Sequence, residues 1–365
     1  MRITDVSATA YEIPVQLPLL DAPEDTALVL TRVETADGVV GYGETGYLNP
    51  RATADFVNNE IADAIVGMDP RHTERIWDTL YEEFNPRAQT GVWSTAVSAV
   101  DIALWDVKGK HYGEPVWRLL GGARSEVPAY VTFGFAEYDI EQLRTLAESL
   151  VDDGAERLKM VVAATEDATP QSDADRVRAV RDAAGEDVEL MIDANYGYSL
   201  EEALELCNRV EDQHIAWFEE PVYGNDVDLL SSLRERTRIP IAAGQNEGHL
   251  FRHRALLEGD AVDISHPNVC FVGGFTEGRR VAALAKSNHV RVANGGGWPF
   301  HNMHLQGGVS NGHRVEFHLA VWEANKRIYE SVPEPENGAV SLPEDPGLGL
   351  QPDEEALSEL DRLDR

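Results

Sequence analysis

The chain has 365 residues, enough for one large core and a smaller companion. It carries 64 Asp+Glu against 31 Lys+Arg, a formal charge of −33, and only five of its basic residues are lysine. That balance excludes the basic footprint of nucleic-acid binding and suits a surface that stays hydrated in concentrated salt, so a halophilic cytoplasm is expected. Two cysteines, Cys207 and Cys270, are too few for a disulfide framework and lack metal-ligand spacing. No apolar signal core opens the chain and no run of 18 apolar residues occurs, so the expectation is a soluble cytoplasmic protein without a membrane partner.

Residues 1–124 read as an α+β unit. Ile3 to Val15 alternates like a strand, and Thr26–Glu34 and Val39–Glu44 flank Asp37-Gly38, a hairpin signal. A long helical pattern runs from about Gly91 to His111 and stops at Leu119-Leu120-Gly121-Gly122. From residue 125 to 330 strands and helices alternate. Candidate strands are 127–134, 157–162, 188–193, 215–219, 239–244, 261–265, 289–294 and 314–318, with a last helix from Ala320 to Glu330. Eight such units predict a closed (β/α)8 TIM barrel of parallel strands. Residues 331–365 are Pro- and acid-rich and add no ninth unit.

Three strand ends carry polar ligands at one pitch. Asp193 closes Met191-Ile192-Asp193, Glu219 closes Trp217-Phe218-Glu219, and Gln245 follows Ala242-Ala243-Gly244. Asp193 and Glu219 are 26 residues apart, as are Glu219 and Gln245. Consecutive βα units put their strand ends side by side on one rim, and oxygen ligands from three neighbouring strands suit a hard divalent cation such as Mg²⁺. A metal enzyme is therefore the leading expectation.

Further motifs carry a resemblance. Val100-Asp101-Ile102-Ala103-Leu104-Trp105-Asp106, Leu119-Leu120-Gly121-Gly122, Asp193-Ala194-Asn195, Phe218-Glu219-Glu220-Pro221 and Pro346-Gly347-Leu348-Gly349-Leu350 together resemble the mandelate racemase/muconate lactonizing group of the enolase superfamily. The resemblance implies an N-terminal capping domain, completed by the C-terminal segment, over a catalytic barrel. It also implies one Mg²⁺ per subunit, a small-molecule carboxylate substrate and a homo-oligomer of two to eight copies. The shared half-reaction is removal of the proton α to a carboxylate, with Mg²⁺ stabilising the enediolate.

The departures from that pattern define the open questions. A second-strand Lys-x-Lys is replaced by Lys159-Met160-Val161, so Val161 stands where the resemblance places a base. Lys159, roughly 6.6 Å deeper, is expected to neutralise the substrate carboxylate, unless a register slip makes it the base. Gln245 replaces a glutamate as third ligand, and Glu247 is expected to assist it as ligand or support. Asn268 stands where an aspartate orients a seventh-strand histidine, and that histidine is missing. His301 and His304 follow the Gly295-Gly296-Gly297 loop instead, three apart on one helix face near its N-terminus, where histidine tends to be neutral; both are candidate bases, with His266 a weaker one. Glu316 on the eighth strand is expected to bond the substrate carboxylate or to pair with a buried cation. Asn195, Asn268 and Trp298 are expected to touch substrate.

Racemisation needs two opposed bases, whereas β-elimination needs one group that can serve as base and then acid. Dehydration of an aldonate or aldarate to a 2-keto-3-deoxy acid is thus the expected reaction. Epimerisation, lactone cycloisomerisation and a silent metal- and sugar-acid-binding barrel are the alternatives.

Overall fold

The computed structural model describes residues 1–46, 48–84 and 90–363. The N-terminal part is an antiparallel sheet, Ile3–Val15, Glu24–Thr35 and Val40–Thr45, packed on the helix Val92–Tyr112. Gly41 and Gly43 make that packing possible. A Cβ on Gly43 would stand 2.0 Å from the Ala99 carbonyl oxygen, and one on Gly41 would stand 2.3 Å from that of Ala103. The helix is buried almost all round because its other side meets the barrel.

The barrel strands are Glu126–Phe133, Arg157–Val161, Glu189–Asp193, Ile215–Glu219, Ile241–Ala243, Ile264–Ser265, Arg291–Val292 and Val315–His318. All pair in parallel, in the spatial order seventh to first and then eighth. A bridge between Val292 and Gly312 brings the seventh strand to the segment leading into the eighth. Three of the first helices start on a side chain that caps their N-terminal amides: Asp139, Thr169 and Ser199, each with its reciprocal partner three residues on.

The fifth to seventh strands are shorter than the sequence suggests, for local reasons. Gly244 leaves the strand at φ 118°. Beyond Val292 the side chain of Asn294 takes over from the ladder, accepting the Glu316 amide at 3.1 Å. Inside the barrel, Tyr130, Met191, Trp217, Ala242, Ile264 and Ala293 form an apolar floor. The C-terminal segment runs back along the molecule. Ala339–Ser341 pairs with the start of the first barrel strand, and Asp361–Arg362 pairs with Tyr11 and Glu12.

Candidate active site

Above the apolar floor the barrel interior turns polar. Strand pairing sets Val161 level with Asp193 and Asp193 level with Glu219, while Lys159 pairs two residues lower with Met191. Val161 holds the rim position, level with Asp193. The Lys159 side chain nevertheless climbs the barrel axis, and its ammonium lies 2.9 Å from Asp193, 2.7 Å from Glu219 and 2.8 Å from Glu316, fully buried. Burial alone would lower its pKa, but the three carboxylates outweigh that and raise it well above the usual lysine value. Lys159 is therefore held as an ammonium. Burial raises Asp193, whereas Lys159 and His266 overcome burial at Glu219 and hold it ionised.

Around this charge lies a partly unfilled cradle. A Cβ on Gly295 would stand 2.1 Å from Glu219 Oε1, 2.8 Å from Gln245 Oε1 and 3.0 Å from His266 Nδ1, so three polar atoms converge where only glycine fits. Gln245 Oε1 is buried and receives no hydrogen bond. Its orientation is fixed from behind, because its Nε2 donates to Asn195 Oδ1 at 3.2 Å and its backbone amide donates to Glu220. Asn195 also donates its backbone N–H to Asp193 Oδ1 at 2.9 Å. Asn195 (φ 41°) and Glu220 (φ 43°) adopt the strained left-handed region that non-glycine residues avoid, a cost often retained at functional strand ends. Two buried carboxylates plus an orphaned amide oxygen match the oxygen-rich set that a hard cation takes. Among the described residues no three His, Cys, Asp or Glu side chains gather as a metal site.

Glu316 joins the set from the eighth strand, accepting from the Thr132 hydroxyl and from the Gly297 amide at 2.6 Å. Four other expected site residues are committed elsewhere. Glu247 is held by Arg252, whose Nε donates to it at 2.7 Å and whose Nη2 donates at 3.2 Å. Asn268 folds the glycine-rich loop, donating to Gly295 O at 2.7 Å and accepting from Asn302 and the Cys270 amide. Trp298 donates to Glu44 of the capping sheet at 2.7 Å. His304 is a tie between chain segments, accepting the Trp117 amide at 3.2 Å and donating to Leu348 O at 3.1 Å. His301 is fully buried on the same helix, its ring 6.5 Å from that of Tyr329, and burial pulls its pKa down to about 3. Among the described residues neither hydrogen bonds nor ring contacts link His301 to Asp193, Glu219 or Lys159.

A cavity of about 370 Å³ opens beside Val161 and Asn195, at the C-terminal rim of the first three strands. Leu17 and Glu24 of the capping part form its outer wall, and Phe135, Glu137 and His318 line the barrel side. Sequence reasoning puts substrate specificity in two capping-part loops, around Pro18–Asp21 and Gly46–Asn49; in the first, Pro18 O and Leu19 O are tied to the barrel, accepting from Tyr138 OH at 2.9 Å and Gln142 Nε2 at 3.1 Å. In the second such loop, Gly46–Asn49, Tyr47 lies outside the described residues. Sequence reasoning missed His318. Its signal was alternation, since it stands two residues beyond the inward-facing Glu316.

Residues 2–121 match the mandelate racemase/muconate lactonizing enzyme N-terminal domain, and residues 142–356 match the enolase C-terminal domain-like family. The chain is 33% identical to a D-galactarolactone cycloisomerase of Agrobacterium fabrum, over 98% of each protein. It is 32% identical to an arabinonate dehydratase of Saccharolobus solfataricus, covering 88% of this chain and 87% of that one. Among solved structures, a racemase from Streptomyces coelicolor with bound magnesium superposes with a TM-score of 0.90 at 28% identity, over 98% of this chain and 99% of that one. Matched along nearly its whole length in sequence and in fold, the chain belongs to the mandelate racemase/muconate lactonizing enzyme group of the enolase superfamily.

Proposed function

We propose that this enzyme binds Mg²⁺ and removes the α-proton of a sugar acid, dehydrating an aldonate to its 2-keto-3-deoxy acid. The observation that carries the reading is the cradle itself: Glu219 and the orphaned Gln245 oxygen converge at Gly295, Asp193 stands level with Glu219 on the next strand, and Asn195, bonded to both Asp193 and Gln245, lines a cavity large enough for a five- or six-carbon acid. These three residues would hold the metal, which when bound supplies positive charge where the substrate carboxylate gains electron density. Lys159, kept charged by Glu316, adds a fixed positive field from below, and Glu316 keeps that ammonium centred. Val161 and Ala163 give the cavity an apolar wall.

The cavity wall favours a monoacid. Its described lining includes no Arg or Lys, and its outer part carries Glu24 and Glu137. Partial burial and the neighbouring Glu137 raise the pKa of Glu24, so a second substrate carboxylate would meet repulsion where a hydroxyl would find acceptors. This supports an aldonate over an aldarate.

A second reading rests on the cycloisomerase relative aligned over 98% of this chain. The same proton removal followed by departure of a ring oxygen opens a ring without loss of water. Product mass separates the two. Incubated with Mg²⁺ and a panel of five- and six-carbon aldonates, the protein should yield an acid lighter by one water. Asp193→Ala should weaken Mg²⁺ binding at least ~100-fold by calorimetry, an effect of ~2.7 kcal/mol. Turnover of no aldonate, or unchanged Mg²⁺ affinity in Asp193→Ala, would overturn the reading; an isomeric product from an acid-sugar lactone would select the cycloisomerase.

A further inference from the structure

We propose that His318 is the group that moves the substrate proton, supplying on the eighth strand the function that Val161 cannot supply on the second. The inference rests on the sugar-acid reading above and assigns the residue that reading leaves open.

The register fixes where His318 points. Glu316 pairs with Tyr130 and His318 with Thr132. Residues two apart share a strand face, so His318 faces inward like Glu316, about 6.6 Å nearer the rim. It lines the same cavity as Val161 and Asn195, and among the described lining residues it is the one imidazole or amine. Its ring stacks on Phe135, with centroids 4.8 Å apart and planes 27° apart, which holds the plane of the imidazole against the cavity wall. Nδ1 is buried without a hydrogen-bond partner, and the side chain does not cap the helix Leu319–Lys326 that it precedes. His304 shows the contrast: both of its nitrogens are used by the fold.

The other bases are less suited. Lys159 is held as an ammonium by three carboxylates. His266, whose ring nitrogens also lack hydrogen-bond partners, lies against Glu219 and the ring of Trp217 and lines no part of this cavity. His301 lines no part of this cavity. Burial lowers the pKa of His318, Glu316 opposes the drop and Lys159 adds to it.

The step balances without a further reactant. The imidazole takes the α-proton, and the C–H electron pair passes into the carboxylate to give an enediolate. Those electrons then return as the β C–O bond breaks, and the imidazolium protonates the departing hydroxyl to release water. The remaining enol tautomerises to the 2-keto-3-deoxy acid. A single group acting first as base and then as acid suffices for this sequence.

The test uses the Mg²⁺-loaded protein with the aldonate panel in D₂O, reading α-deuterium incorporation and keto-acid formation. His318→Ala should lose ~10³-fold in both, the middle of the range for removing a general base, while retaining Mg²⁺ affinity and melting temperature. Added imidazole should restore at least tenfold, because the truncation opens space in the cavity. His301→Asn should stay within about threefold of the wild type. If His318→Ala does not fold, His318→Gln, closer in size, carries the same comparison of exchange at intact Mg²⁺ binding. Exchange within threefold of the wild type in a folded variant would overturn the assignment yet leave the sugar-acid reading standing. So would a folded His318→Ala that loses activity but gains nothing from imidazole. Absence of exchange and product in the wild type with every aldonate would overturn both.

Discussion

Two regions of this molecule bury carboxylates, and they satisfy them in opposite ways. Where the capping part meets the barrel, each acid is saturated by the fold. Glu44 accepts from Trp298 and Asn325, both at 2.7 Å, and from Tyr329 at 2.8 Å. Asp101 accepts the Thr276 amide and hydroxyl, and Asp106 accepts the Tyr42 and Leu348 amides and pairs with Lys110. At the barrel mouth three carboxylates share one ammonium, and polar atoms such as Gln245 Oε1 are left without donors. A buried polar atom without a partner costs roughly 1–3 kcal/mol, which a purely structural site would avoid. Saturated acids fasten the cap; under-satisfied groups mark where a ligand belongs.

The sharpest way to break the contrast is to remove the shared cation. Lys159→Met leaves three buried carboxylates facing one another, and breaking a buried ion pair in this way costs about 3–5 kcal/mol. Millimolar Mg²⁺ should recover part of that loss, because a cation again stands beside Asp193 and Glu219. Urea unfolding with and without Mg²⁺ reads both effects. A midpoint unchanged by the substitution would show that the ammonium is not what holds these acids together.

Gln245→Glu probes the same region from the other side. A third anionic ligand should tighten Mg²⁺ about tenfold, or ~1.4 kcal/mol, and should make the apoprotein less stable through added like charge. Calorimetry and thermal melts with chelator decide it. Weaker Mg²⁺ binding in this variant would place residue 245 outside the metal's reach.

The interface acids predict a pH signature. Burial lifts Glu44 from 4.5 to about 7, against the pull of its three donors. The folded state thus holds this proton more tightly than the unfolded chain does. That contribution is complete below pH ~4.5 and fades as pH rises through ~7, at most on the order of 3 kcal/mol from 1.36 kcal/mol per pKa unit. Glu44→Gln mimics the protonated form and should flatten this part of the profile. Melting temperatures of both proteins at pH 5 and pH 8 should therefore converge at the acidic end and separate at the alkaline one, with the variant higher. Parallel curves would remove Glu44 as a titrating fastener.

The sequence reveals the metal-facing rim far better than the proton-transfer side, for a physical reason. Asp193 and Glu219 each end a strand and Gln245 follows one by two residues in a regular βα repeat, so local periodicity alone puts them on one rim. Eight strands and the capping hairpin are readable for the same reason, with trimmed ends where Gly244 and Asn294 leave the ladder. The roles of the histidines are set by distant segments. His304 meets Leu348, which lies 44 residues away, and nothing near His304 in the chain announces that contact. Asn268 and Trp298 are likewise used up by the loop and the cap. His318 had a usable local signal in its spacing from Glu316, but an imidazole at a strand end reads as core until its unpaired Nδ1 and its cavity are seen.

The smallest expected effect tests where the cradle ends. Glu247 lies two residues beyond Gln245 and looks in sequence like a fourth ligand, yet both of its oxygens face Arg252. The Arg252 side chain is 38% exposed, so the pair is partly screened and worth about 0.2–1 kcal/mol. Glu247→Gln should therefore lower the melting temperature by no more than a few degrees and leave Mg²⁺ affinity within twofold of the wild type. Asn225, which donates to Glu247 at 3.3 Å, can keep an amide in place. A drop in Mg²⁺ affinity beyond fivefold would show that Glu247 turns from Arg252 toward the metal, and the cradle would then include a third carboxylate. An unchanged affinity would confine it to Asp193, Glu219 and Gln245, with the ammonium of Lys159 standing beneath.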